Sequence, residues 1–183
     1  NHQSEMKNVL IISTSPRKGG NSDMLATEFA KGAKEAGNEV DVVNLAGKKI
    51  EFCRGCLSCV KTQKCVIDDD AAEVRDKMLS ADVIVWATPI YYYCISGQMK
   101  TMIDRGNPLY TSDYKFRDIY LLAAAAEDED YVVEGAVKAT QGWIDCFEKA
   151  SLKGVVFAGG VDKKGEIAGH KALAEAYEMG KGI

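Results

Sequence analysis

One junction constrains this chain more than any other. The apolar run Val9-Leu10-Ile11-Ile12 leads into Ser15-Pro16-Arg17-Lys18-Gly19-Gly20-Asn21-Ser22. A helical pattern follows, in which Leu25, Phe29, Ala33 and Ala36 share one face. A buried strand that feeds a short, glycine- and hydroxyl-rich turn into a helix N-terminus makes an anion site. The unpaired N–H groups of the first helical turn and the positive end of the helix dipole point at the same spot. Ser15, Asn21 and Ser22 can add neutral hydrogen bonds there, Arg17 a charged one, and Gly20 belongs to the turn itself. The spacing is neither G-x-G-x-x-G nor G-x-x-x-x-G-K-[ST], which disfavours a dinucleotide or a P-loop nucleotide and leaves a single phosphate ester.

The rest of the chain repeats this alternation. Strands are expected over 8–13, 39–44, 82–87, 119–125 and 154–158, with helices over 21–36, 68–79, 96–105, 131–150 and from about 168 onward. Asn21 or Ser22 is placed to cap the first helix, and Gly37 to end it in the left-handed region. Five strands alternating with helices imply an α/β fold: a doubly wound, five-stranded parallel sheet of order 2-1-3-4-5, in one domain over 6–183. Such sheets bind ligands at the carboxyl ends of their strands, where the order switches between strands 1 and 3. The phosphate turn follows strand 1. The segment Thr88-Pro89-Ile90-Tyr91-Tyr92-Tyr93 follows strand 3, so the topology sets the two loops side by side.

Three consecutive tyrosines at the end of a buried strand cannot all face the core. A flat aromatic ligand would stack on them, with Pro89 fixing the direction of the loop and Gly97 allowing close backbone approach. Packing against a neighbouring subunit or a long loop is the other use for such residues. Beside a phosphate turn, these residues suit a ligand with both a monoester and a flat ring, such as FMN.

Four of the six cysteines form Cys53-x2-Cys56-x2-Cys59-x5-Cys65. Spacing this compact can wrap a [4Fe–4S] cluster on an irregular loop. Four thiolates can also hold zinc, although structural zinc sites more often use two separated pairs. Packed free thiols and a redox-active pair stay open as well. Lys61 and Lys64 would offset part of the thiolate charge. Cys94 and Cys146 read as small core residues. His2 and His170 form no Ser-His-Asp or metal-binding arrangement, so a hydrolase reading lacks its base.

Composition narrows the rest. The chain has 183 residues, a net charge of −4, 46% hydrophobic and 27% charged residues. That is a globular profile with a core large enough to need no disulfides. The acidic balance argues against nucleic acid and anionic membranes as partners, and no apolar run approaches the roughly 20 residues that span a bilayer. The polar segment 1–5 is set aside as a tag or a disordered tail. With no secretory signal read at the N-terminus, the expected location is the cytoplasm.

The sequence resembles the flavodoxin-like NAD(P)H-dependent FMN reductases, including the iron–sulfur flavoprotein branch. The resemblance rests on Ser15 through Leu25, on Thr88-Pro89-Ile90-Tyr91, on Ser96 through Arg105, and on the cysteine stretch ending Cys65-Val66-Ile67-Asp68-Asp69-Asp70. It implies that Ser15, Arg17, Asn21 and Ser22 hold the FMN phosphate. It also implies that Pro89, Ile90, Tyr91, Tyr92 and Gly97 line the ring, and that Cys53, Cys56, Cys59 and Cys65 are the ligand set of an iron–sulfur flavoprotein. The chain departs from the pattern at Ala126-Glu127-Asp128-Glu129-Asp130, which is acidic where small residues are expected near the flavin and reads as a solvated approach to the next helix. The implied activity passes reducing equivalents from a transiently bound NAD(P)H through FMN to a quinone, a flavin or another small acceptor, in a dimer or tetramer of like chains. An electron carrier serving partners such as ferredoxin is the alternative, and a thiol module without flavin is a third.

Overall fold

Strand β1 (Asn8–Ser13) carries five consecutive buried residues, which only a strand covered on both faces can accommodate. In a computed structural model describing residues 5–183 it lies inside a five-stranded sheet. Residues 1–4 of the segment set aside above, His2 among them, lie outside the described residues. The other strands are β2 (Glu39–Asn44), β3 (Val83–Pro89), β4 (Asp118–Ala124) and β5 (Ser151–Ala158). All neighbours are parallel and the order is β2-β1-β3-β4-β5, as the alternation predicts. The helices are α1 (Asn21–Glu35), α2 (Cys59–Thr62), α3 (Ala71–Ser80), α4 (Gly97–Arg105), α5 (Glu134–Asp145) and α6 (Lys171–Lys181).

The central strand β3 is buried along its whole length, and the sheet divides the core into two layers. On one face Ile12, Ile84, Trp86, Met99, Met102, Phe116 and Trp143 pack together. On the other, Ile11, Val85 and Leu122 meet Leu25, Phe29 and Ala33 of α1 and Ala172 and Ala176 of α6. Helices α1 and α6 approach through glycine: a Cβ on Gly32 would sit 2.0 Å from the Tyr177 carbonyl oxygen, and one on Gly180 2.1 Å from that of Phe29. Because β1 pairs with β3 in the register Ser13↔Ala87, the loops after both strands leave the sheet at one level.

Three local expectations need correction. The N-cap of α1 is Gly20, with no side-chain cap, so Asn21 and Ser22 lie inside the helix; their side chains are engaged elsewhere, as described below. Gly37 does take the left-handed conformation, with φ +93°. The helix expected over 131–150 opens with a 3-10 turn, Asp130–Val133, and its α part ends at Asp145. Ending there swings Phe147 into an aromatic cluster with Tyr114, Phe116 and Trp143. Cys146 is exposed rather than part of the core, and Cys94 is half-buried.

Candidate functional site

The phosphate turn is built around a buried carboxylate. Asp23, in the first turn of α1, accepts the Gly19 N–H at 2.6 Å and the Asn44 side-chain amide at 3.3 Å. It also accepts the Ser13 hydroxyl. Strand β1, the turn and strand β2 are thereby tied to one residue. Ser15 closes a small turn on itself, its Oγ accepting from Arg17 N–H at 3.1 Å and donating to Arg17 O at 2.9 Å.

The side chains expected on the phosphate divide into two groups. Asn21 spends its amide on the loop after β5: Nδ2 donates to Asp162 O at 3.4 Å and Lys163 O at 3.1 Å, and Oδ1 accepts Ile167 N–H at 3.2 Å. Arg17, exposed, donates to the same Asp162 carbonyl at 3.0 Å. Both residues clasp a third loop onto the turn. Ser22 differs: its Oγ is buried and has no hydrogen-bond partner among the described residues. A buried hydroxyl without a partner costs free energy, and Ser22 is part of the lining of a nearby space.

That space is a cleft of about 310 Å³ lined by Ser15, Arg17, Asn21, Ser22, Pro89, Ile90, Tyr91, Tyr92, Ala124–Ala126, Val161 and Asp162. Eight of the ten residues expected to bind the cofactor line it; Gly20, the N-cap of α1, does not. Gly97 is not among them. It opens α4 on a separate depression with Leu45, Lys48 and Phe52, and a Cβ there would meet nothing within 4 Å. The third wall comes from the small residues Ala124–Ala126 and from the loop after β5; of the acidic run only its first residue, Ala126, lines the cleft. A polar network locks the two main loops together. Ser96 Oγ donates to Thr14, Ser96 N–H donates to Thr88 Oγ1 at 3.0 Å, and Thr14 Oγ1 donates to Ala87 O at 2.9 Å.

The tyrosine loop is a two-residue hairpin. Tyr91 and Cys94 exchange backbone hydrogen bonds of 3.1 Å in both directions. The residues between them, Tyr92 and Tyr93, have φ of +48° and +62°. Positive φ at both positions is the mark of a type I′ turn, where Asn-Gly is usual and tyrosine is strained. Tyr92 is 99% exposed. Tyr93 O seats against α5 at Gly135, where a Cβ would lie 2.1 Å away. The Tyr93 hydroxyl donates to Glu127 at 3.0 Å, and this bond, more than the charge or burial, raises its pKa.

The cysteine loop stands beside α4. Cys53, Cys56, Cys59 and Cys65 line one cavity of about 30 Å³ together with Arg105 and Asn107. Three sulfurs receive N–H donors: Cys53 from Gly55 at 3.4 Å, Cys65 from Ile67 at 3.4 Å and Cys59 from the Asn107 side chain at 3.1 Å. The Cys56 thiol is held below its ordinary pKa by hydrogen bonds from the backbone and side chain of Ser58. All six cysteines are free. Among the described residues no three His, Cys, Asp or Glu side chains converge as a metal-ligand set. The four thiols therefore share a cavity and are supplied with donors but do not stand in a finished coordination geometry. His170, read from sequence as a lone surface residue, caps α6 through Nδ1 and reaches Gly159 O through Nε2 at 3.1 Å.

The site tests the fit of FMN through Ser22. An unpartnered buried hydroxyl, the uncapped start of α1 and a cleft flanked by Tyr91 and Tyr92 suit a phosphate ester joined to a flat ring. Fold and cleft together define a flavodoxin-like protein with a cleft at the switch point between β1 and β3. The profile of the NADPH-dependent FMN reductase family matches residues 7–150, and the chain belongs to that family. It is similar to an iron–sulfur flavoprotein of Methanocaldococcus jannaschii, 40% identical over 101 residues, which are 55% of this chain and 52% of that one. It also resembles a Bacillus subtilis protein bearing the name of an NAD(P)H-dependent FMN-containing oxidoreductase, at 25% identity over 93% of this chain and 95% of that one. The matches to iron–sulfur flavoproteins span about half the length of those relatives. Among solved structures, the NAD(P)H:quinone oxidoreductase of Methanothermobacter marburgensis superposes with a TM-score of 0.71 at 16% identity, covering 97% of this chain and 98% of that one. An azoreductase of Bacillus anthracis gives 0.73 at 19% identity, covering 97% and 100%. At these identities the likeness is one of fold. No helix among the described residues is long and apolar enough to cross a membrane.

Proposed function

We propose that this protein binds FMN in the cleft between the turn after β1 and the hairpin after β3, and that it is an oxidoreductase taking electrons from NADH or NADPH. The observation that carries the reading is the buried, unpartnered Ser22 Oγ in a cleft whose other wall is tyrosine. Ser22 and the first N–H groups of α1 would hold the phosphate. Ser15 and Gly20 shape the turn, while Arg17 and Asn21 hold the loop after β5 against it, with Arg17 adding positive charge at the rim. Pro89, Ile90, Tyr91 and Tyr92 would face the ring. Bound FMN supplies hydride acceptance and one-electron chemistry. The chain's own part is to bind, orient and shield, and no side chain need act as acid or base in hydride transfer. The nicotinamide would bind transiently over the open face, and the acceptor would be a small molecule such as a quinone or a free flavin. The natural setting is the cytoplasm, where free thiols persist, and the exposed tyrosines suit a homo-oligomer.

In the same proposal Cys53, Cys56, Cys59 and Cys65 hold a [4Fe–4S] cluster. The donor set fits in chemistry, and sulfurs already receiving N–H bonds suit a cluster. An exposed cysteine loop, with Phe52 81% exposed beside it, also favours a second reading as an electron carrier docking a partner such as ferredoxin. Steady-state assays separate the two. An enzyme oxidises NADH or NADPH with a quinone acceptor. A carrier turns over slowly with both and is reduced quickly by ferredoxin. Anaerobically prepared protein should show flavin bands with a broad, bleachable shoulder. Cys56→Ala should lose iron while keeping flavin, and iron retained in that variant would overturn the ligand set.

A further inference from the structure

The cysteine loop has a neck, and one buried side chain closes it. Arg105, at the end of α4, is 1% exposed. Its Nη1 donates to Glu51 O at 2.9 Å and to Asp69 Oδ2 at 2.8 Å, and its Nη2 donates to Ile67 O at 3.2 Å and to Asp69 Oδ1 at 2.9 Å. Glu51 and Ile67 bracket the segment that carries all four clustered thiols. Asp69 is equally committed, accepting the Glu51 N–H at 2.8 Å and the Ala71 N–H at 3.1 Å. One guanidinium therefore grips both ends of the loop, and one carboxylate grips the guanidinium, the first end again and the start of α3. The far side of the loop is held by Gln63 Nε2 donating to Thr111 O at 2.6 Å and by the Asn107 side chain donating to Cys59 Sγ at 3.1 Å.

We propose that Arg105, held by Asp69, is the positioning residue of the cysteine loop: by pinning the carbonyls of Glu51 and Ile67 to one planar fork, it keeps Cys53 and Cys65, the first and last thiols, facing one cavity. A planar fork with several donors is needed, because a point charge cannot satisfy four oxygens in two directions. The position of Cys65 beside the guanidinium supports this. Cys65 and Arg105 line the same cavity. The role rests on the reading that the four thiols act together, and the experiment below separates the two claims.

The full-length Arg105→Lys, Arg105→Gln and Asp69→Asn proteins are compared with wild type in three measurements. Amide exchange is followed over 51–71, labelling of Cys53 and Cys65 by a maleimide is timed, and cobalt(II) is titrated anaerobically into cluster-free protein through its sulfur-to-metal charge-transfer band. All three variants should exchange and label faster at the neck by about tenfold or more. They should bind cobalt about 10- to 100-fold more weakly, the usual loss when a ligand's support is removed, with FMN affinity unchanged. Arg105→Lys keeps the charge, so wild-type exchange and labelling in that variant would overturn the role of the fork. Should one Arg105 variant fail to fold, Asp69→Asn leaves the guanidinium in place and decides the question alone. Wild-type protein that takes up no cobalt would count against the metal reading, while exchange and labelling still judge the positioning role.

Discussion

Replacing Ser22 with alanine should move stability and affinity in opposite directions. Ser22 Oγ is buried with no partner among the described residues. An unmet hydroxyl of that kind costs about 1–3 kcal/mol. Removing it should stabilise the apoprotein by about 1 kcal/mol, or a Tm rise of about 2–4 °C for a chain of this length. The same hydroxyl would donate to an ionised phosphate, a bond worth about 1.5–3 kcal/mol. Affinity for FMN should therefore fall roughly 10- to 150-fold. Riboflavin lacks the phosphate, so its affinity should stay within about twofold of wild type by the same arithmetic. Quenching of flavin fluorescence gives both constants, and thermal unfolding of apoprotein gives the stability change. Unchanged FMN affinity, or equal losses for FMN and riboflavin, would refute the placement of the phosphate.

Three further outcomes follow from the same geometry. Tyr92→Asn places a residue that tolerates positive φ where tyrosine costs about 1–2 kcal/mol; apoprotein Tm should rise by a few degrees while FMN binds more weakly, and a drop in Tm would show the turn to be unstrained. Burial pushes the Asp69 carboxyl up, but the bonds from Arg105 and from the Glu51 and Ala71 N–H groups outweigh it and hold its pKa at about 2 against an ordinary 3.8. A folded-state pKa below the unfolded value gives stability that is complete above about pH 4 and lost as pH falls toward 2, here about 2 kcal/mol; Asp69→Asn should abolish that loss in urea titrations of apoprotein, and an unchanged pH profile would contradict the pairing. Gly135→Ala should lower stability by about 1–3 kcal/mol, since a methyl group 2.1 Å from Tyr93 O must displace the hairpin; an unaltered Tm would show that the hairpin is not seated there.

Much of this was legible in the residues. Continuous apolar runs at Val9–Ile12 and Val83–Ala87 force burial on both faces, and the alternation with helices then fixes a parallel order. That order puts the two site loops together. What was not legible depends on contacts distant along the chain. Nothing near Asn21 says that its amide is spent on carbonyls 141 and 142 positions away, nor does the sequence around Asp69 reveal a pairing with Arg105. Asp23 looked like one more acidic residue in a first helical turn, yet it organises the phosphate turn from below. The hairpin was hidden because its turn residues are two tyrosines instead of Asn-Gly, a local rule broken where the site needs aromatic surface. Gly97 lies outside that cleft and opens α4 on a separate depression, a placement that its position in the sequence does not give.

The account stands or falls on whether the cleft after β1 and β3 takes a flavin by its phosphate. Titrating apoprotein into FMN and into riboflavin, read by quenching of flavin emission, measures this directly. FMN should bind with one site per chain and at least about tenfold more tightly than riboflavin, the phosphate contacts supplying the difference. Emission that stays unquenched with FMN, or equal affinity for the two flavins, would contradict it.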